Sequence, residues 1–112
     1  MSSFDAERRR AERKVLRTNA LVILSNAQPF EVRTIDLSAG GMSIVASANP
    51  KSGTVLNIRF SVPLRTGGHT LFEAKARVIH TVFSSVESGF KIGLSFTVLP
   101  PVAASAVLQF LG

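Results

Sequence analysis

The second half of the sequence alternates between apolar and polar residues. From Val55 to Val62 the even-numbered positions are apolar, and most positions between them are polar. The alternation returns from Leu71 to Phe83 and from Phe90 to Phe96. A period of two is typical of strands that bury one face and expose the other. These segments therefore predict three strands of an antiparallel sheet.

The segment from Leu71 to Phe83 changes phase along its length. Apolar residues occupy every second position up to Val78, after which Ile79 and Val82 follow a shifted phase. An extra residue in one strand of an antiparallel pair produces such a shift. We therefore expect a β-bulge or a strong bend near Val78-Ile79-His80.

Three shorter apolar runs precede these strands and predict three more. They cover residues 15–24, 30–36 and 42–46, and turn-forming residues separate them. In the turn after the third run, Pro50 has a fixed φ and Gly53 permits a positive φ.

The chain continues after the last strand with an apolar tail, residues 102–111, behind Pro100-Pro101. Proline is favoured in the first turn of a helix, so the tail predicts a short C-terminal helix. Six short strands and one helix indicate an all-β fold with a small α part. The architecture that fits best is a six-stranded antiparallel β-barrel.

Length and composition exclude several classes of protein. A chain of 112 residues is most simply one domain. Cysteine is absent, which excludes disulfides and thiolate metal sites, and the two histidines make no convincing zinc site, so we expect no metal and no cofactor. No apolar run approaches the roughly 20 residues that span a bilayer, and the N-terminus lacks an apolar signal core. We therefore expect a cytoplasmic protein.

Positive charge is concentrated at the N-terminus. The formal net charge is +6, and the first 17 residues carry half of this excess. We expect residues 1–14 to form a basic arm and residues 15–112 to form the barrel with its helix. Residues 5–14 are compatible with a helix that Asp5 caps, but they lack an apolar stripe to pack on a core. We therefore expect a flexible arm that attracts phosphate-bearing partners.

A polar turn, Asp36-Leu37-Ser38-Ala39-Gly40-Gly41, separates the second and third predicted strands. An ionised Asp36 accepts hydrogen bonds only, so it suits the N–H edge of guanine. Ser38 lies two residues further on and would face the same way along a strand. Gly40 and Gly41 are expected to adopt positive φ and to let a ligand approach the backbone. Alone, the motif is more often an ordinary capped turn in a hairpin than a ligand site.

The arm carries the complementary chemistry. Arginine stays charged, grips phosphate with two donors, and pairs with guanine O6 and N7. Arg8, Arg9, Arg10 and Arg13 supply four such groups. Alone, this run is equally a solvated tail or a nucleic-acid tail.

Together the two motifs resemble those of the PilZ domain, the bacterial receptor module for cyclic di-GMP. That family has an Arg-x-x-x-Arg arm before the first strand and an Asp/Asn-x-Ser-x-x-Gly turn between the second and third. Arg9-Arg10-Ala11-Glu12-Arg13 and the turn that begins at Asp36 match them. Gly93-Leu94-Ser95-Phe96 also resembles the family's last strand. The resemblance covers about residues 7–112.

The resemblance implies a role for each candidate residue. Arg9 and Arg13 would hold the guanine Hoogsteen edges and phosphates, with assistance from Arg8 and Arg10. Asp36 and Ser38 would contact a guanine from the barrel surface, and Gly41, with Gly40, would shape the turn. Trp and Tyr are absent, so an aromatic platform for the base would have to be Phe, and arginine stacking would do most of that work.

We therefore expect a stand-alone cyclic di-GMP receptor, without a fused output domain, that orders its arm on binding and signals to an unidentified partner protein. The alternative is a small basic barrel that binds RNA or single-stranded DNA, ranked lower because an acidic Asp36 disfavours a polymer binder. A degenerate domain that binds only protein is a third reading. No catalytic constellation or P-loop is recognisable, so we expect no enzyme and no catalytic residue.

Overall fold

The computed structural model describes residues 12–25 and 27–112, and this part of the chain contains seven strands and one helix. The elements are β1 (Arg13–Val15), β2 (Asn19–Ile23), β3 (Phe30–Ser38), β4 (Gly41–Ala46), β5 (Val55–Pro63), β6 (His69–Ser84), β7 (Gly89–Val98) and α1 (Pro101–Leu111). Six strands close into a ring in the order β3-β2-β5-β6-β7-β4, because β4 pairs back onto β3. All pairings are antiparallel. The prediction of a six-stranded barrel with a C-terminal helix is confirmed, and β1 is an additional strand.

The first predicted strand is two strands in the structure. Both β1 and β2 pair with β3, but the chain leaves the ladder at residues 16–18. Thr34 fills this gap, because its buried hydroxyl accepts from the Thr18 amide at 2.9 Å and donates to the Leu16 carbonyl. The ladder of β3 shifts register at the same place, between Thr34 and Asp36. An apolar run alone did not reveal this break, because Leu16 is buried as in a continuous strand.

The last two residues of the segment that was compatible with a helix, residues 5–14, are not helical in the structure. Arg13 and Lys14 belong to β1 and lie opposite Ser38 and Leu37 of β3. Their backbone groups therefore take part in a strand ladder instead of helical hydrogen bonds. Residues 5–11 lie outside the described residues. The boundary between arm and barrel at residue 14 stays a prediction, and β1 crosses it.

The interior is filled by the inward faces of the strands and by one side of α1. Phe72 is fully buried and stacks on Phe60, with 4.6 Å between ring centroids. Val107 and Phe110 of α1 join the same core. Burial of these apolar side chains therefore helps to hold the helix against the barrel. α1 begins at Pro101, as predicted, and no helix in the described residues is long and apolar enough to cross a membrane.

The expected bulge in β6 is present. Val78 lies opposite Leu94 and His80 lies opposite Gly93, so Ile79 is the extra residue. A bulge re-aims the side chains that follow it. Before the bulge, odd-numbered residues of β6 such as Arg77 face outward. The extra residue shifts this alternation by one, so the even-numbered His80 faces outward after it. A second register shift in the β6–β7 pairing, between Lys75 and Ala76, was not predicted, and its extra residue is Thr97 of β7.

Candidate ligand-binding site

Arg13 and Asp36 meet at the corner where β1, β3 and β4 come together. The Nη1 atom of Arg13 donates to Oδ1 of Asp36 at 2.9 Å. The same oxygen accepts from the backbone amide of Ser43 at 3.1 Å, which fixes the carboxylate on the outer face of β3 and β4. The Arg13 side chain is 49% exposed, whereas that of Asp36 is 18% exposed. Because water reaches this pair, it contributes little to stability, and a ligand can replace Arg13 as the partner of Asp36.

Ser38 holds the turn between β3 and β4. Its side chain is buried, and Oγ accepts from the Gly41 amide at 3.1 Å and contacts the Gly41 carbonyl at 3.0 Å as a donor. The structure thus gives Ser38 the turn-capping role that was the alternative to ligand contact. A hydroxyl has two acceptor lone pairs, so this arrangement leaves one for a further donor. Contact between Ser38 and a ligand stays a prediction.

The expected positive φ at Gly40 and Gly41 is wrong. In the described residues, the glycines with positive φ are Gly53, Gly67 and Gly68. Gly41 is needed for another reason, because a Cβ atom there would lie 2.0 Å from the carbonyl oxygen of Leu94 on β7. The strand that follows the turn therefore approaches the backbone of β7, where we expected a ligand. Sequence alone did not indicate this contact, because it depends on the pairing of β4 with β7.

Five of the eight candidate residues are described, and all five lie at one corner of the barrel. Arg13 binds Asp36, while Ser38 and Gly41 close the turn beside it. Gly40 is half-buried in the same turn, and its carbonyl accepts from the Phe96 amide at 3.0 Å. Arg8, Arg9 and Arg10 lie outside the described residues. Among the residues that are described, no group of three or more His, Cys, Asp or Glu side chains could hold a metal ion.

The profile of the PilZ domain matches residues 7–112 of the sequence, which is nearly all of it. The chain belongs to the PilZ family. PilZ domains are binding and effector domains. No curated protein matches the sequence at a significant level.

Solved structures share the fold of this PilZ chain at low sequence identity. The inhibitor of motility MotI/DgrA of Bacillus subtilis matches with a TM-score of 0.76 and 18% identity, over 88% of this chain and 47% of its own. The PilZ domain of YcgR from Escherichia coli with c-di-GMP gives 0.66 and 18%, over 93% and 88%. PlzA of Borreliella burgdorferi in complex with c-di-GMP gives 0.65 and 16%, over 98% and 43%. The chain spans about half the length of MotI/DgrA and of PlzA.

A basic cluster of Arg17, Arg33 and Lys91 lies near the Arg13–Asp36 pair of this PilZ domain. The sequence did not predict it. Arg17 donates to both carboxylate oxygens of Glu87, at 2.8 and 3.1 Å, and Arg33 donates to the Glu87 carbonyl at 2.9 Å. The Arg17 hydrogen bond holds the pKa of the Glu87 carboxyl below its usual value and raises that of the Arg17 guanidinium. Glu87 lies 70 residues from Arg17 in sequence, so no local pattern could pair them.

The cluster continues outward across the sheet. Arg33 lies opposite Val45 on β4, and Val45 lies opposite Lys91 on β7. Cross-strand partners project from the same face. Two cationic side chains therefore share the outer face with Asp36, in a row two residues further along β4 and β7, where they favour an anionic ligand.

Proposed function

We propose that this chain is a c-di-GMP receptor that reads a guanine with Asp36 and holds guanine and phosphate groups with the arginines of its arm. The observation that carries the proposal is the Arg13–Asp36 contact. This contact joins one residue from each of two motifs, 23 positions apart in sequence, and both motifs resemble the family's signature. Two structural neighbours, YcgR and PlzA, were solved with c-di-GMP, which supports the same ligand here.

Ligand binding would exchange the partners of Asp36. Guanine presents N–H donors on one edge, and a carboxylate held by the Ser43 amide can accept them. Arg13 would then turn to the O6 and N7 acceptors of guanine or to a phosphate. Arg9 would join it from the same arm, and Arg8 and Arg10 would add charge. The net effect is that an internal ion pair is replaced by two contacts with the ligand.

The signal to a partner protein would pass through β1. Arg13 contacts the ligand corner, and its neighbour Lys14 donates to the Phe110 carbonyl at 3.0 Å, with its ammonium 4.9 Å from the Phe110 ring centroid. Adjacent residues of a strand project to opposite faces, so one short strand contacts both the site and α1. A shift of β1 on binding would therefore change the last turn of α1. We propose that the arm and this helix end form the surface that a partner protein reads.

Calorimetry with c-di-GMP tests the proposal. We expect the wild type to bind and Arg13→Ala or Asp36→Ala each to weaken binding by about tenfold or more, because each removes a charge-assisted hydrogen bond. Arg59 and Glu73 form a matched exposed ion pair at 2.8 Å on β5 and β6. Arg59→Ala and Glu73→Ala should bind like the wild type. The proposal would be contradicted if variants of the Arg59–Glu73 pair lost as much c-di-GMP affinity as variants of the Arg13–Asp36 pair. It would also be contradicted if the wild type did not bind c-di-GMP.

The nucleic-acid alternative makes a different prediction. A polymer binder loses affinity steeply with salt, and its binding energy is spread over many Lys and Arg side chains. We expect instead that Asp36→Ala weakens c-di-GMP binding by about the tenfold or more given above, and that a short single-stranded RNA or DNA does not compete with c-di-GMP. Competition by such an oligonucleotide, with Asp36→Ala still binding it, would favour the alternative.

A further inference from the structure

His80 lies in the same cross-strand row as Asp36. Asp36 of β3 lies opposite Ser43 of β4, Ser43 lies opposite Gly93 of β7, and Gly93 lies opposite His80 of β6. Cross-strand partners share a face, so the four residues form one line on the outside of the barrel. With about 4.8 Å between neighbouring strands, the backbones of Asp36 and His80 are about 14 Å apart.

The imidazole ring of His80 lies across β7. A Cβ atom at Gly93 would lie 2.3 Å from Cε1 and 2.9 Å from Nε2 of the ring. The ring therefore covers the Gly93 backbone and extends from β6 in the direction of β4. The β-bulge at Ile79 gives His80 this orientation, and His80 remains exposed to solvent. Between the ring and the Asp36 carboxylate, the row contains only the small residues Ser43 and Gly93.

The phenylalanines of the described chain do not face this row. Successive residues of a strand alternate between faces, so Phe90 and Phe96 project opposite to Gly93, and Phe83 follows its cross-strand partner Phe90. The remaining described phenylalanines pack in or against the core: Phe30, Phe60, Phe72 and Phe110. Phe4 lies outside the described residues. The expectation that a phenylalanine supplies the aromatic platform is therefore not met by any described phenylalanine.

We propose that His80 is the platform on which a guanine of the ligand stacks, while Asp36 accepts from the N–H edge of that base. The inference rests on the proposed function and adds a residue that neither motif contains. Histidine is among the side chains on which unpaired bases stack. Within the row, only the small residues Ser43 and Gly93 separate Asp36 from His80, so a base held at Asp36 could lie with its face against the ring. His80 then recognises the flat surface of the base, and Asp36 recognises its edge.

Another role for His80 is to cover the Gly93 backbone without touching a ligand. The two roles differ in what His80→Ala and His80→Phe change. If His80 only covers the Gly93 backbone, it contributes to stability alone, and its removal leaves c-di-GMP affinity unchanged. A platform contributes to affinity, and another aromatic ring replaces it.

Calorimetric titration with c-di-GMP separates these roles. We expect His80→Ala to bind about tenfold to a hundredfold more weakly, the loss that removal of one base–aromatic stack produces. His80→Phe should retain affinity to within about threefold, since a phenyl ring also stacks. His69→Ala is the matched control, because His69 is an exposed histidine at the far end of β6. It should bind like the wild type, and a thermal melt of each variant verifies folding.

Gly93→Ala provides a second test that retains the histidine at position 80. The added Cβ would overlap the ring, so the imidazole must move away from β7. We expect weaker binding in the wild-type background and a smaller further loss in the His80→Ala background, because the two changes act on the same stack. Equal losses in both backgrounds would contradict the inference.

The outcomes separate this inference from the function on which it rests. If the wild type does not bind c-di-GMP, the proposed function fails and the inference fails with it. If binding requires Asp36 but His80→Ala retains wild-type affinity, only the inference is overturned. If His80→Phe is as weak as His80→Ala, a specific imidazole hydrogen bond is indicated and stacking is overturned. Upfield shifts of the His80 ring protons on saturation with c-di-GMP, with those of His69 unchanged, would support stacking of a base on His80.

Discussion

The ammonium group of Lys14 donates to the carbonyl of Phe110 at 3.0 Å, which connects the first strand to the last turn of the C-terminal helix. A cation near a helix C-terminus interacts favourably with its exposed carbonyls and its dipole. Arg13, the next residue back along β1, makes the contact with Asp36. Two adjacent residues of β1 therefore contact the candidate site at Asp36 and the end of the helix at Phe110.

Lys14→Met should loosen this connection. It removes a partly buried hydrogen bond from a charged donor, so we expect the free energy of unfolding in urea to fall by about 1 kcal/mol. The protection of α1 amides against hydrogen exchange should also decrease. Lys51→Met, in the exposed turn between β4 and β5, is the control. Equal changes in the two variants would show that the Phe110 contact has no energetic role.

Gly41→Ala should damage both the fold and the site. Its new Cβ meets backbone atoms of β7, which cannot rotate away as a side chain can. We expect a loss of about 1–3 kcal/mol in the free energy of unfolding, as for other overpacked sites. Because the turn carries Ser38 and adjoins Asp36, c-di-GMP affinity should fall as well. The control is Ser61→Ala on the outer face of β5, which removes one atom from an exposed side chain and should change neither stability nor affinity.

A wild-type melting temperature for Gly41→Ala would contradict the close approach of β4 and β7. Unchanged stability with lost binding would instead assign Gly41 to direct ligand contact, as the motif alone suggests.

The contact between Arg17 and Glu87 should make stability depend on pH. The hydrogen bond from Arg17 lowers the pKa of Glu87 in the folded state. The stabilisation is therefore present above the unfolded pKa of glutamate and is lost as the pH falls through the lower, folded pKa. We expect wild type to be more stable than Glu87→Gln at neutral pH and the difference to vanish in acid. Denaturant unfolding between neutral and acidic pH measures it.

Glu31→Gln on β3 is the control for loss of one negative charge. A Glu87→Gln deficit that persists unchanged in acid would mean that the carboxylate charge is not the source of the difference.

Local patterns predicted the parts of the fold that depend on one strand at a time. Alternation from Val55 onward gave three strands, and the phase change at Ile79 gave the bulge. The break at residues 16–18 was missed because Thr34, which fills it, is on another strand. The general lesson is that a period of two reports the faces of a strand but not its partners.

The site shows the same division. The two signature motifs were visible in sequence, and the structure brings Arg13 to Asp36. The function of Gly41 depends on the backbone of β7, and the placement of His80 depends on a bulge and on three successive strand registers. One signal was available, since glycine within a strand often marks a close approach, and Gly93 lies beneath the His80 ring.

The most direct test is an amide-resolved nuclear magnetic resonance titration of the full chain with c-di-GMP. The Ser43 amide donates to the Asp36 carboxylate, so its resonance reports any change at that oxygen. We predict that the largest shifts fall on residues 8–13 and 36–43, while the amides of Arg59 and Glu73 stay in place. Saturable shifts that leave Ser43 and Arg13 unmoved, or no shifts at all, would contradict the proposal that these two motifs form the receptor site.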